Sequence, residues 1–257
     1  MADKEKLIQA AHLLKGAHNL IVLTGAGVSK ESGIPTFRDA LEGLWAKFDP
    51  QELATPQAFQ RNPKQVWEWY TYRRNLAAQA KPNPGHIALA QLERHHPQLV
   101  VITQNIDDLH EQAGSHDVVH LHGKLMENRC FKDCRGYPTI IANEQIANDE
   151  HIPPHCPYCG EYVRPNVVWF GEMLPAAELE RAQHLAFHCD VMLIIGTSGL
   201  VTPAASLPIW AKQRGAKIVE VNPDYSMITR YADIKLDGPS GEIMPKILKA
   251  MAQIDDA

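Results

Sequence analysis

The chain has 257 residues, 45% of them apolar and 21% charged, and a formal net charge of −5. That length suits one large or two modest domains, and the composition is that of an ordinary globular protein. The acidic balance gives no electrostatic ground for nucleic-acid binding, and no apolar run approaches the roughly 20 residues that cross a bilayer.

The opening stretch, "MADKEKLIQAAHLLKGAHNL", mixes acids with lysines, lacks an apolar signal core with a cleavage site, and contains no arginine. It does not read as a secretory or organellar leader, so the expected localisation is cytoplasmic. Six short β-rich apolar runs follow, at 19–25, 98–105, 117–123, 190–198, 216–222 and 231–236. Their apolar residues are continuous rather than alternating, which predicts strands buried on both faces. Stretches with helical spacing, such as "PAAELERAQHLAFH" and "VTPAASLPIWAKQRG", lie between them. Strand–helix alternation of this kind predicts an α/β fold built on a doubly wound parallel sheet. Two segments break the alternation: about 38–96 holds only loop and helix signals, and about 124–166 is polar and rich in Pro and Cys. Both read as insertions that form a second, smaller domain.

The first run ends in "TGAGVSKESGIPTFRDA" (24–40). Gly25 and Gly27 make a Gly-x-Gly turn after a strand. There a Rossmann-like sheet sets backbone N–H groups and a helix N-terminus against a pyrophosphate. The full dinucleotide fingerprint fails, because Lys30 stands three after Gly27 and no acidic residue about 20 positions on follows a second strand. Alone, the turn fits a plain tight turn as well as a nucleotide site. Gly33 and Pro35 then lead to Phe37 and Arg38, and this arginine is either a phosphate clamp or an ordinary surface residue. Further on, "WEWYTYRR" (67–74) sets Tyr70 three residues before Arg73 and four before Arg74, so on a helix each pair shares a face. Such a helix either packs or presents a phenol and a guanidinium to something acidic.

"TQNIDDLH" (103–110) closes the second run. Ligands of open α/β sheets bind at the carboxyl ends of strands. Asn105 and Asp107 are suited to ribose hydroxyls or a carboxamide, and equally to capping the next helix. In "VVHLHGKL", His120 and His122 are two apart and share a face if the strand stays extended. His122, just before Gly123, has the ordinary pKa of a general base near neutrality, and His120 reads as structural. Cys130-x3-Cys134 and Cys156-x2-Cys159 are two close pairs split by a loop, the spacing of a closed tetrahedral zinc site that holds structure rather than doing chemistry. The fifth cysteine, Cys189, reads as a small core residue.

Taken in order, "GAGVSKESGIPTFRDA", "TQNIDDLH", His122-Gly123, the paired cysteines, "VVWFGE" and "GTS" resemble the sirtuins, a family of NAD-dependent protein-lysine deacylases. The likeness runs from Gly25 to about Gly241. It implies a Rossmann-like NAD-binding domain (1–37, 97–123 and 167–257), a cofactor loop and helical module (38–96) and a zinc-binding module (124–166). By the same resemblance, Gly25, Ala26, Gly27, Phe37 and Arg38 would belong to the cofactor site, and Gln104, Asn105, Ile106 and Asp107 would hold nicotinamide and its ribose. Gly196, Thr197 and Ser198 would line phosphates and ribose, with Asn222 at the adenosine ribose and Ser240 near adenine. His122 is similar to the general base, with Asn105 and Asp107 completing the catalytic set. Val168, Trp169, Phe170 and Gly171 would pair with the backbone of an acyl-lysine peptide.

The implied reaction consumes one NAD⁺ per turnover. The acyl oxygen attacks ribose C1′ as nicotinamide leaves, His122 deprotonates a ribose hydroxyl, and O-acyl-ADP-ribose and lysine result. "VWEWYTYRR" resembles the Tyr-x-x-Arg signature of class III sirtuins, in which Tyr70 and Arg73 would bind the carboxylate of a succinyl or malonyl group. Ala54 would widen the same pocket. Trp67, Trp69 and Tyr72 are then expected to pack and Arg74 to lie on the surface. Two positions depart from the commonest pattern: the first cysteine pair is one residue wider than x2, and Thr36 stands where other classes carry Asp. The implied partners are acyl-lysine proteins or peptides, without nucleic acid or membrane, and the oligomeric state is left open. A plain NAD⁺ hydrolase on the same fold, or a non-catalytic acyl-lysine or NAD sensor, are the rival readings. "VVWFGE" and the four cysteines argue against the first, and the Asn105, Asp107 and His122 set against the second.

Overall fold

A computed structural model describes residues 2–36, 49 and 53–255. The chain divides into two compact units, the first made of 1–36, 80–121 and 175–257 and the second of 37–79 and 122–174. In unit 1, strands β1 (Leu20–Thr24), β2 (Val100–Thr103) and β3 (Val118–His120), with β7 (Val191–Ile195), β8 (Lys217–Val221) and β9 (Ile234–Leu236), build one six-stranded sheet. Every pairing is parallel and the order is β3-β2-β1-β7-β8-β9. Counted within the sheet this is the 3-2-1-4-5-6 order of a dinucleotide fold, with its switch point between β1 and β7. Each strand lies within one of the six apolar runs read from the sequence.

Residues of one parity, among them Leu20, Val22, Leu193, Ile195, Val219 and Val221, join a single apolar core. Helices α1 (Ala2–Lys15), α4 (Pro84–Leu92) and α9 (Ser240–Asp255) supply the other side of it, through Ala10, Ala11 and Leu14, through Ala88, Leu89 and Leu92, and through Met244, Ile247 and Met251. These recur at three- and four-residue intervals, as a buried helix face requires. Ile21, Leu23, Met192, Ile194 and Ile218, of the opposite parity, are buried as well, so both faces of the sheet are covered. Helices α7 (Ala176–His188) and α8 (Leu207–Gln213) pack on each other and on β3 and β8 respectively. Between them, Cys189 behaves as core: it is buried, and burial raises its thiol to about 11. Residues 80–96 belong to this unit rather than to the helical insertion expected from the sequence, because α4 carries part of its core.

Unit 2 joins α2 (Pro56–Arg61) and α3 (Pro63–Gln79) to a three-stranded antiparallel sheet, β5-β4-β6, built from β4 (Gly123–Cys130), β5 (Ile140–Ile141) and β6 (Val163–Val167). Thr55 caps α2 by accepting from Ala58 N at 3.0 Å, with Pro56 in the first turn, the residue pair favoured there. "WEWYTYRR" is helical, as its spacing predicts, but Arg74 is not a surface residue. Its Nε donates to Leu125 O at 2.8 Å and its Nη2 to Glu127 O at 3.0 Å and Asn128 Oδ1 at 2.7 Å, which ties α3 to β4. Burial pulls its pKa down to about 10. Trp69 is buried, and Trp67 packs against the apolar cluster of Cys130, Ile141, Cys156 and Val163.

The four expected zinc ligands do converge. Cys130 Sγ lies 3.6 Å from Cys159 Sγ and Cys134 Sγ lies 3.9 Å from Cys156 Sγ, and all four sulfurs fall within 4.8 Å of one another. A tetrahedron with Zn–S of about 2.3 Å has sulfurs about 3.8 Å apart, so the wider Cys130-x3-Cys134 spacing is no obstacle. The set has only thiolate donors and no place for water, which suits a structural ion. Because such sites contribute folding energy directly, chelation, or Cys134→Ser, should strip hydrogen-exchange protection from β4 and β6 while the amides of β1 and β7 keep theirs. Protection of β4 that survives metal removal would sink this reading.

Candidate functional site

At the switch point of unit 1 two loops cross at backbone distance. Gly25 N donates to Ile195 O at 3.0 Å and Gly27 N to Gly196 O at 2.8 Å. A Cβ on Gly27 would stand 2.7 Å from Gly196 O, and one on Gly25 2.8 Å from Thr197 Cβ. Gly196 itself has φ +60, and a Cβ there would meet Val28 N at 2.4 Å, so all three positions exclude any side chain. The helix that follows the Gly-x-Gly turn, Ala26–Ser32, is of the 3-10 type. From this crossing the rim extends sideways. Gln104 Nε2 donates to Thr197 Oγ1 at 3.0 Å, and Asn222 Nδ2 to Thr197 O at 2.9 Å. Gly25, Ala26, Gly27, Gln104, Gly196, Thr197, Ser198 and Asn222 thus gather at the carboxyl ends of β1, β2, β7 and β8, the ligand edge of such a sheet.

Below that rim lies a buried polar network. Asn105 Nδ2 donates to Ser29 Oγ at 2.9 Å, and Ser29 Oγ donates to Asp107 Oδ2 at 3.0 Å. Asp107 Oδ1 accepts at 3.2 Å from the N–H of Leu109, the first residue of the short helix α5 (Leu109–Ala113). Burial raises the carboxyl above its ordinary range, with the Ser29 and Leu109 bonds acting against it. Ile106, between the two, is half-buried. Beneath them Thr24 Oγ1 donates to Thr103 Oγ1 at 2.8 Å, and Thr103 Oγ1 accepts from Asn105 N at 3.0 Å. With its own hydrogen so engaged, Thr24 accepts from His110 Nε2 at 3.0 Å, which puts the His110 proton on Nε2.

Several residues here were not read from the sequence. Ser29 is the hub, His86 approaches it at 3.4 Å, and the rings of His86 and His110 stand 4.9 Å apart. Asn83 caps α4 through Gly85 N at 2.9 Å and donates to Val28 O at 2.7 Å. Glu31 accepts from Ser240 Oγ at 3.2 Å and Gly241 N at 2.7 Å, at the N-terminus of α9, where a carboxylate is favoured. Ser240 is thereby placed against Gly85 of α4 rather than at the strand ends. The available signal was polar residues at 24, 29, 83 and 86 beside glycines, which alone looks like solvated loop. Phe37 and Arg38 lie outside the described residues.

In unit 2, His122 is half-buried on the turn between β3 and β4. It does not share an extended strand with His120, because β3 ends at His120 and Gly123, at φ +75, starts a strand of the other sheet. His120 is structural as expected, with Nε2 2.8 Å from Glu111 Oε1 and Nδ1 3.3 Å from Asn105 O. The Tyr70 hydroxyl is buried and accepts from Trp169 Nε1 at 2.9 Å, leaving its own hydrogen to donate. Burial raises its pKa, with the neighbouring Arg73 charge acting against that. The Arg73 guanidinium lies over the rings of Trp69 (5.1 Å) and Tyr70 (5.6 Å). Ala54 is buried and its carbonyl accepts from Phe170 N at 2.9 Å.

A fork from Arg164 to Glu172, at 2.5 and 3.0 Å, underlies the Trp169 ring at 3.2 Å, and Glu172 Oε2 also accepts from Trp169 N at 2.8 Å. Val168 N donates to His122 O at 2.9 Å. The N–H groups of Val168, Trp169 and Phe170 are therefore all engaged inside unit 2, and β6 stops at Val167.

Burial pushes His110 down to about 3, with His86 repelling it, and His86 down to about 4. The folded chain then refuses protons that the unfolded chain takes up below its ordinary imidazole pKa of about 6.5. Stability from these two groups is full above that value and falls as pH drops toward 4 and 3. Asp107, raised by burial, acts in the opposite sense, its contribution being lost as pH rises above 3.8. In urea titrations between pH 4.5 and 7, His110→Gln should flatten the acid limb by up to about 1.4 kcal/mol per pH unit; parallel curves for the two proteins would refute the assignment.

The family model described as the Sir2 family matches residues 25–203. An NAD-dependent protein deacylase 1 of Pseudomonas aeruginosa is 49% identical over 241 residues, covering 92% of this chain and 96% of that one. Among solved structures, a Sir2 homolog–NAD complex superposes with a TM-score of 0.87 at 46% identity, covering 96% of this chain and 94% of that one. Sir2Af2 bound to a myristoylated histone peptide gives a TM-score of 0.77 at 35% identity, with 98% and 99% covered. The paired units, the glycine crossing and the four-cysteine cluster are accordingly those of a Sir2 protein, and the chain belongs to the Sir2 family.

Proposed function

We propose that this NAD-dependent protein deacylase of the Sir2 family takes succinyl- and malonyl-lysine as well as acetyl-lysine, and releases nicotinamide, O-acyl-ADP-ribose and free lysine. The observation that carries the acidic-acyl reading is the pairing of Tyr70 and Arg73 on α3, a buried phenol with a hydrogen to donate beside a guanidinium stacked on aromatic rings. A guanidinium offers a carboxylate two parallel charge-assisted hydrogen bonds, and an adjacent phenol a third. Ala54 has a small side chain, which in this reading accommodates a longer acyl chain. The relative crystallised with a myristoylated peptide holds a long apolar acyl group, which a Tyr–Arg pair would serve poorly.

In this reading NAD⁺ is a substrate held by unit 1. The glycine crossing gives its phosphates close access to the backbone around Gly25, Ala26, Gly27 and Gly196. Thr197, Ser198 and Asn222 bond ribose hydroxyls, and Phe37, Arg38 and Ser240 are assigned to the cofactor by their place in the Sir2 sequence pattern. Gln104, Asn105, the Ile106 backbone and Asp107 orient nicotinamide and its ribose; the Ser29 hub fixes the amide and the carboxylate of the last set against each other. His122 takes the ribose hydroxyl proton that frees an oxygen to attack the acyl carbon, a general-base step suited to imidazole; the lysine amine then leaves that carbon and a water adds to it, giving O-acyl-ADP-ribose. The acyl-lysine peptide pairs along Val168, Trp169, Phe170 and Gly171. A cytoplasmic setting fits this reading, and among the described residues no helix is long and apolar enough to cross a membrane.

The test is mass spectrometry of matched acetyl-, succinyl- and myristoyl-lysine peptides, with and without NAD⁺. For Arg73→Met, kcat/KM on the succinyl peptide should fall about 10- to 100-fold, the worth of hydrogen bonds to a charged group, while acetyl removal stays within a few-fold. Tyr70→Phe should also lower stability by about 1–3 kcal/mol, because Trp169 Nε1 loses its acceptor. Equal loss on both short acyl groups would remove the acidic-acyl reading, and NAD⁺ consumption without peptide turnover would favour a hydrolase.

A further inference from the structure

The cysteines are one of two groups of metal-binding side chains found among the described residues; the other is Asp149, His151 and His155, whose donor atoms all lie within 4.8 Å of one another. Asp149 Oδ1 is 2.6 Å from His151 Nδ1, and its Oδ2 is 3.3 Å from His155 Nδ1. The two imidazole rings stand 4.5 Å apart at 79°. The carboxylate is anchored from behind, since Oδ1 accepts from His151 N at 3.0 Å and Oδ2 from His155 N at 2.6 Å. His155 is braced in turn by Tyr162, whose ring stacks on it at 5.3 Å and 27°. Between the histidines run Ile152, Pro153 and Pro154, and two prolines restrict the loop before as well as after it folds.

This is a preorganised set of two nitrogens and one oxygen, with supporting bonds of the kind that orient metal ligands. Imidazole donors favour first-row divalent ions, whereas Ca²⁺ and Mg²⁺ demand shells of oxygen. Donors about 2.1 Å from a tetrahedral ion lie about 3.4 Å apart. The Asp149–His155 separation already matches. The Asp149–His151 separation needs to open by less than about 1 Å, through a ring that is 71% exposed. That exposure also leaves the solvent side for water ligands, so the ion is exchangeable, unlike one enclosed by four sulfurs.

We propose that Asp149, His151 and His155 form a second zinc-type site in unit 2, distinct from the four-cysteine site. An ion there would pin 149–155 directly ahead of Cys156 in the chain and stiffen the approach to the structural zinc. Nothing in the proposed deacylation uses these three residues.

The experiment is equilibrium dialysis of the full-length, zinc-loaded protein against graded Zn²⁺, with metal analysis and calorimetry. The wild type should hold one zinc that resists mild chelation and take up a second that exchanges. In His151→Ala and in Asp149→Asn the second should weaken by more than the roughly 10-fold that outer-shell changes cost, with the first unchanged. Co²⁺ added to the zinc-loaded protein should give weak ligand-field bands without thiolate charge transfer. A wild type that takes no second ion, or variants that bind it equally well, overturns the proposal. So does loss of both ions in His151→Ala, whose exposed side chain can be removed without disturbing the fold.

Discussion

The carboxyl edge of the parallel sheet is organised by a backbone crossing whose shorter hydrogen bond runs from Gly27 N to Gly196 O at 2.8 Å. In this strand order the connections leave β1 and β7 in opposite directions, so a cleft opens where they part. The crossing holds the two loops together at the base of that cleft. Because no Cβ fits at 25, 27 or 196, backbone groups rather than side chains form its floor, which is what a pyrophosphate requires. Thr197 follows at once, and its hydroxyl and carbonyl receive Gln104 and Asn222. The neighbouring strands are thus registered to the crossing through single side-chain bonds.

Beneath the floor the chemistry is kept neutral wherever it can be. Ser29 relays between an amide and a carboxylate, and His86 and His110 are buried deeply enough to stay uncharged. An imidazolium at His110 would have His86 against it and its Nδ1 buried without a partner among the described residues. A buried charge of that kind is several kcal/mol unfavourable, so the network orients Asn105 and Asp107 without adding a positive charge next to the carboxylate. Unit 2 solves the converse problem. Arg164 is buried and charged, but Glu172 meets it with both oxygens and Val167 O with a third bond at 2.8 Å. Removing one partner of such a pair strands the other, at about 3–5 kcal/mol, so the turn that carries Trp169 is fixed by Glu172 as firmly as by apolar packing.

These two arrangements also explain what could be read from the sequence. The six strands of the large sheet were legible because burial on both faces leaves uninterrupted apolar runs. β4 and β6 were not, because "GKLMENRC" and "VRPNV" bury Asn128, Arg129 and Arg164 and carry a proline, so the inward face has no apolar signature. The cysteines were legible as a metal set from spacing alone, since two close pairs separated by a loop are the pattern of a tetrahedral zinc site. Ser29, His86 and His110 were not, because burial of a short polar residue is a tertiary fact with no local pattern. His122 was singled out for its position before Gly123, but its strand was misjudged, since a left-handed glycine at 123 turns the chain into a different sheet.

The helix "WEWYTYRR" shows how adjacent identical residues come to differ in role. Arg73 and Arg74 are separated by about 100° around α3. The one at 74 meets the β4 edge, where two carbonyls and Asn128 Oδ1 engage its Nε and Nη2. The one at 73 falls on the side of Trp69 and Tyr70, whose ring faces attract a cation without directing its hydrogen bonds. Aromatic faces hold a guanidinium through its charge rather than through directed hydrogen bonds. Arg74 could be replaced only at the expense of the α3–β4 junction. Arg73 is held by ring faces alone among its named contacts, so on the function proposed above a change there alters selection among acyl groups before it alters the fold.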